Sequence, residues 1–143
     1  MVRLLLAVVA VLVLAAGCGN DESPGDAQTQ FLHDLYNGHL DSAYAALHPA
    51  YQRIVSRKRF VACTRATPLG KLGSIHIVDV SDDPVDIPGS GSVPAKAVRV
   101  RLTSPAGGST TFVNHEVKVG SHWRWVLNAA AAKAYEAGRC PGG

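Results

Sequence analysis

Ala97–Leu127 reads AVRVRLTSPAGGSTTFVNHEVKVGSHWRWVL, and its two-residue rhythm decides the fold. Val98, Val100 and Leu102 point one way while Arg99, Arg101 and Thr103 point the other, the period of a half-buried strand. Thr110–Val119 alternates too, with Val113, His115, Val117 and Val119 opposite Phe112, Asn114, Glu116 and Lys118. The expectation is that the valine face, His115 included, looks into the core. His122–Leu127 sets Trp123, Trp125 and Leu127 on one face. Pro105-Ala106-Gly107-Gly108 marks one turn, and Gly120-Ser121 a tight hairpin. Upstream, Leu72–Val80 reads as another strand, apolar enough on both faces to leave its register open. Short links between consecutive strands predict an antiparallel meander.

The half of the chain before these strands carries a helical period instead. In Ala27–Asn37, Phe31, Leu32, Leu35 and Tyr36 form one apolar helix face, and Gly38 is the expected stop. Leu40–Leu47 repeats the pattern with Leu40, Ala43, Tyr44 and Leu47, and Pro49 is expected to end it. A short turn around Tyr51–Val55 follows. Ser56 then caps a helix containing Phe60, Val61 and Cys63. After the strands, Asn128 is placed to cap a terminal helix through Tyr135, stopped by Gly138. Helices first and a meander after predict an α+β domain, with N-terminal helices packed on one face of an antiparallel sheet.

The other end of the chain speaks to location. Met1–Arg3 is a short positive start, Leu4–Ala16 is an unbroken apolar run of 13 residues, and Gly19-Asn20-Asp21-Glu22 turns abruptly polar. That is the layout of an export signal. The run is too short to cross a bilayer, which takes about 20 apolar residues. Leu14-Ala15-Ala16-Gly17-Cys18 resembles a bacterial lipobox, with Ala15 where Leu is usual. The resemblance implies cleavage after residue 17, lipid on Cys18, and residence on the outer face of the cytoplasmic membrane. An ordinary signal that releases a soluble protein is the alternative. Residues 18–26 are expected to form a polar tether broken by Pro24-Gly25, and residues 27–143 a single domain.

Three cysteines leave one odd thiol in an oxidising compartment. Lipidation of Cys18 removes it and leaves Cys63 and Cys140 as a natural pair. Two buried, unpaired thiols are the competing possibility. Net charge falls from +3 to +2 when Arg3 leaves with the signal. That balance is too near neutral to argue for nucleic-acid binding. The basic run Arg53, Arg57, Lys58, Arg59 and Arg65 reads as a solvated helix face, with contact to anionic headgroups as the alternative. Asp79, Asp82, Asp83 and Asp86 lack the spacing of a calcium loop, and the histidines lack zinc spacing, so no metal and no cofactor is expected.

Phe31-Leu32-x-x-Leu35-Tyr36-x-Gly38-x-Leu40-Asp41-x-Ala43-Tyr44-x-x-Leu47-His48-Pro49 resembles the opening of a nuclear-transport-factor-2-like (NTF2-like, cystatin-like) domain. Arg59-Phe60-Val61-x-Cys63, then Gly120-x-x-Trp123-x-Trp125-x-Leu127 and Cys140, are similar to small actinobacterial lipoproteins that carry this domain. The resemblance implies a curved sheet wrapping a long helix into an open cone. The fold hosts isomerases, dehydratases and non-catalytic binding modules, so activity must come from the site. His115 is the best candidate for an acid or base in the cone, and Tyr36 for a hydroxyl donor. The bland alternatives are a core histidine bonded to a neighbour and a core tyrosine. The reading these features favour is a lipid-anchored, non-catalytic module for a small apolar ligand or a protein partner. An isomerase or dehydratase using His115 and a tyrosine, and an accessory lipoprotein with a filled core, are the other two.

Overall fold

A computed structural model of the chain describes residues 21–142. The signal stretch, residues 1–17, and Cys18 lie outside them. The helical half comprises α1 (Pro24–Tyr36), α2 (Leu40–Ala45), α3 (Pro49–Gln52) and α4 (Arg57–Ala66). The stranded half comprises β1 (Ser74–Asp82), β2 (Val85–Ile87), β3 (Gly91–Val93), β4 (Lys96–Thr103), β5 (Ser109–Val119) and β6 (His122–Trp125), before α5 (Ala129–Glu136). The main sheet is antiparallel in the order β1-β4-β5-β6, and β2 pairs with β3 as a separate hairpin. Among the described residues no helix is long and apolar enough to cross a membrane.

Most elements lie where the periodicity puts them. Ser56 and Asn128 cap α4 and α5 as expected, accepting from Arg59 N and Ala131 N. Gly120 and Ser121 make a two-residue turn between Val119 and His122, which pair across it. Gly120 takes φ +63, a left-handed value that costs a residue without Cβ little. The helices bury Phe31, Leu32, Ala43, Leu47 and Phe60 in one cluster with Val98, Val100 and Trp125 of the sheet.

Four expectations need correction. The segment 18–26 is not a tether throughout, because α1 begins at Pro24. Pro24 occupies the first turn, where its missing N–H costs nothing, and Ser23 and Asp26 close a capping box around it. Gly25 is buried against β1, and a Cβ there would sit 3.5 Å from Ile77. Pro49 does not merely end α2; it opens α3, with His48 Nδ1 accepting from Ala50 N at 3.2 Å. The stretch between β1 and β4, for which the periodicity predicts no strand, forms the β2–β3 hairpin.

The fourth correction concerns β5. Glu116 is the cross-strand partner of both Lys96 and Trp125, and Trp125 stacks on Phe31 of α1. Directly opposed residues share a face. Phe112, Asn114 and Glu116 therefore face the helices with Val98 and Val100, and the valine face with His115 looks away. Val117 is nevertheless buried, together with Ile87 of the hairpin and Ala95. Val113 is 45% exposed. A second layer covers only one end of the outer face, which is why alternation alone misjudged it.

The thiol pairing is as expected. Cys63 of α4 and Cys140, beyond α5, form a disulfide with Cα atoms 5.3 Å apart. Arg59 adds a second tie, donating from Nη2 to the Gly138 carbonyl.

Candidate functional site

The space between helices and sheet is filled by aromatic rings. Phe31 stacks on Trp125 at 4.3 Å, and Phe60 lies 6.0 Å from Trp125. Trp125 Nε1 donates to the Ala43 carbonyl at 2.9 Å, so its polar edge is satisfied inside. Two polar side chains share this interior without a hydrogen-bond partner among the described residues. Gln28 and Glu116 are 0% and 1% exposed, and neither end group finds a bond. Burial, and next the charge of Glu22, push the Glu116 carboxyl from 4.5 up to about 8, with Arg124 opposing. Glu116 is thus a neutral acid near pH 7.

His115 and Tyr36 do not meet. His115 lines a cleft of about 370 Å³ at the β5 edge together with Tyr51, Asp86 and Asn128. Its Nε2 sits 2.7 Å from Asp83 Oδ2, at the β1–β2 link. His115 is bonded to a neighbour, but on the outer side of the sheet and not in the core. Tyr36 lines a different cleft with Leu72, Leu102 and Phe112. The hydroxyl nearest His115's cleft belongs to Tyr51, which points at the Asp86 carbonyl from 3.5 Å. Burial and the Asp86 charge raise the Tyr51 pKa, which favours the neutral phenol. Nothing in the local sequence signals Asp83 as the partner of His115, because 32 residues separate them.

Asp82 of the acidic run and Arg57 of the basic run each pair with a residue outside their own run. Lys96 Nζ lies 2.6 Å from Asp82, and Arg57 Nη1 lies 2.9 Å from Asp41. Among the described residues no group of three His, Cys, Asp or Glu side chains is placed to hold a metal ion.

A cleft with a mostly apolar lining lies beneath the β2–β3 hairpin. It holds about 380 Å³ and is lined by Ile87, Val93, Val117, Val119 and Trp123, with His48 on one side. Burial, then the charges of Arg53 and Arg124, hold His48 below the usual histidine range. Its neutral ring keeps Nδ1 as the acceptor that caps α3. A second and smaller crevice, about 130 Å³, runs between α1 and β6 with Glu116 on its wall. The valine alternation of β5 could have located the first cleft had the hairpin been read from sequence. No sequence signal distinguishes Glu116 from an exposed strand glutamate.

No protein-family model matches the chain, and no curated protein is significantly similar to it. Among solved structures it is similar to a Campylobacter jejuni protein designated an NTF2-like transpeptidase, determined at 2.00 Å. The identity is 18%, the match covers 74% of this chain and 99% of the other, and the TM-score is 0.53. At that identity the likeness is one of fold, and it is the fold seen here: helices on a curved antiparallel sheet, α+β and NTF2-like.

Proposed function

We propose that this chain is an exported lipoprotein held by lipid on Cys18, whose NTF2-like domain is a non-catalytic module for a small apolar ligand. The observation that carries the ligand reading is the cleft beneath the hairpin, where seven of the twelve lining residues are apolar around about 380 Å³. Such a concave, mostly apolar lining is the usual form of a small-molecule site. The interior of the fold is occupied by the Phe31–Trp125 stack, so the cleft beneath the hairpin is the better seat. Catalysis by His115 with Tyr36 has no geometric support, since the two line separate clefts.

The address rests on the sequence. A charged start, 13 apolar residues and Ala-Ala-Gly-Cys at 15–18 form the signal, and the Cys63–Cys140 disulfide fits an oxidising compartment. Four residues separate Cys18 from the Ser23 cap, so the domain would ride close to the membrane.

Native mass spectrometry of the chain extracted from membranes tests the ligand reading. The expected result is a small apolar molecule released on denaturation and lost from a folded Val119→Asp variant. A wild-type chain that carries nothing overturns it. For the anchor, labelled palmitate should enter the wild type and not Cys18→Ala; an unlabelled wild type refutes lipidation.

A further inference from the structure

We propose that the crevice between α1 and β6 is a binding site for a primary ammonium group on a slender alkyl chain, with Glu116 as its anion. Glu116 is 1% exposed, lines the crevice, and has no hydrogen-bond partner on either carboxyl oxygen among the described residues. A buried carboxyl left unsatisfied carries its full desolvation penalty. A ligand that donates N–H bonds to it removes that penalty and forms a charge-assisted pair.

The walls suit a cation. Glu22 and Asp34 bring two further carboxyl groups to the crevice, and Phe31, Trp123 and Trp125 bring three aromatic rings. Carboxylates with aromatic faces are the chemistry that recognises ammonium. Trp123 Nε1 donates to the Glu22 carbonyl at 2.9 Å, which ties the Glu22 segment to β6 and fixes the opening. Arg124 also lines the crevice, but its Nη1 is bonded to the Ala45 carbonyl at 3.0 Å. Asp34 is partly engaged, accepting from Gln30 at 3.1 Å and lying 3.6 Å from His39. Arg124 keeps its positive charge and His122 also lines the crevice, so the three carboxyl groups of Glu22, Asp34 and Glu116 are what meets a cation against them. A volume of about 130 Å³ is enough for a short alkylamine.

Binding is coupled to a proton. Glu116, pushed up to about 8, is protonated at neutral pH. The ammonium keeps its own protons, so Glu116 gives its proton to buffer as it becomes the counter-anion. The crevice and the hairpin cleft share the wall at Trp123 but are told apart by their other residues: Glu116 does not line the cleft, and Val119 does not line the crevice.

The test titrates n-butylammonium into the full chain, reading fluorescence from its two tryptophans, both of which line the crevice. Calorimetry at pH 7 in two buffers of different ionisation enthalpy counts the protons. The expected result is saturable binding with up to one proton released. Glu116→Gln, checked for folding by circular dichroism, should bind about tenfold more weakly or worse and release no proton. Glu22→Gln, at an exposed position, should weaken binding several-fold. Tetramethylammonium, which has no N–H to donate, should bind at least about tenfold more weakly. A lysine-containing tripeptide that binds as tightly as n-butylammonium identifies a peptide lysine as the source of the amine. Binding of n-butylammonium alone identifies a free one. A chain with no saturable response to either probe, or a folded Glu116→Gln variant that binds and releases protons like wild type, overturns the site.

Discussion

The indole of Trp125 stacks on the ring of Phe31 with centroids 4.3 Å apart and planes inclined by 26°. One side chain thereby fastens three elements, because its Nε1 also donates to Ala43 of α2 at 2.9 Å. Trp125→Ala should cost about 3–5 kcal/mol, the range for deleting a buried aromatic ring. Trp125→Phe keeps the stack and loses the bond to Ala43, so it should cost about 1–2 kcal/mol. Urea midpoints of the two variants check this ordering, and equal losses would show that the hydrogen bond outweighs the stack.

Glu116 makes stability depend on pH in a direction opposite to most carboxylates. Its pKa rises from 4.5 to about 8 on folding, through burial and Glu22 against the opposing Arg124. Between those values the folded state holds a proton that the unfolded state has released. Stability is therefore complete below pH about 4.5 and falls as pH climbs towards 8. At about 1.4 kcal/mol per pK unit the ceiling is of order 5 kcal/mol. Glu116→Gln should flatten this slope and be the more stable protein at pH 8. Unfolding curves at pH 5, 6.5 and 8 that stay parallel for variant and wild type would refute it.

The Cys63–Cys140 bridge closes a separation of 77 residues. Chain entropy assigns such a loop about 4 kcal/mol. Reduction should lower the melting temperature, and the Cys63→Ala/Cys140→Ala double variant should match the reduced wild type. Backbone amides of α5 should lose exchange protection first, because Arg59 to Gly138 is then the tie left holding the helix end to α4. Uniform loss of protection across the sheet would contradict a local role.

Ser23 and Asp26 cap α1 reciprocally, with Ser23 Oγ accepting from Asp26 N at 3.1 Å and donating to its carboxylate at 2.7 Å. Ser23→Ala should cost about 1 kcal/mol. Asp26→Ala should cost less, since its bond to the Ser23 N–H is 3.3 Å long and exposed. Thermal unfolding of both variants decides, and no loss in either would mean that α1 is held wholly by its buried face.

The helices and strands were legible because their signals are local. Phe31, Leu32 and Leu35 repeat at helical spacing, Val98, Val100 and Leu102 at strand spacing, and Ser56, Asn128 and Gly120 mark ends by their own chemistry. Pro24 misled for an instructive reason: the residue that breaks a helix interior is well suited to its first turn. The β2–β3 hairpin went unread because three-residue strands carry too few alternations to show a period.

The sequence by itself determined the α+β order, the caps and the pairing expected of Cys63 with Cys140, since each follows from neighbours along the chain or from parity. Only the tertiary structure decided which face of β5 meets the helices, that His115 answers to Asp83, and that Glu116 is buried without a partner. Alternation tells two faces apart but does not say which one is covered. That depends on contacts such as Phe31 with Trp125, across 94 residues, where burial by distant elements sets the environment of each charge.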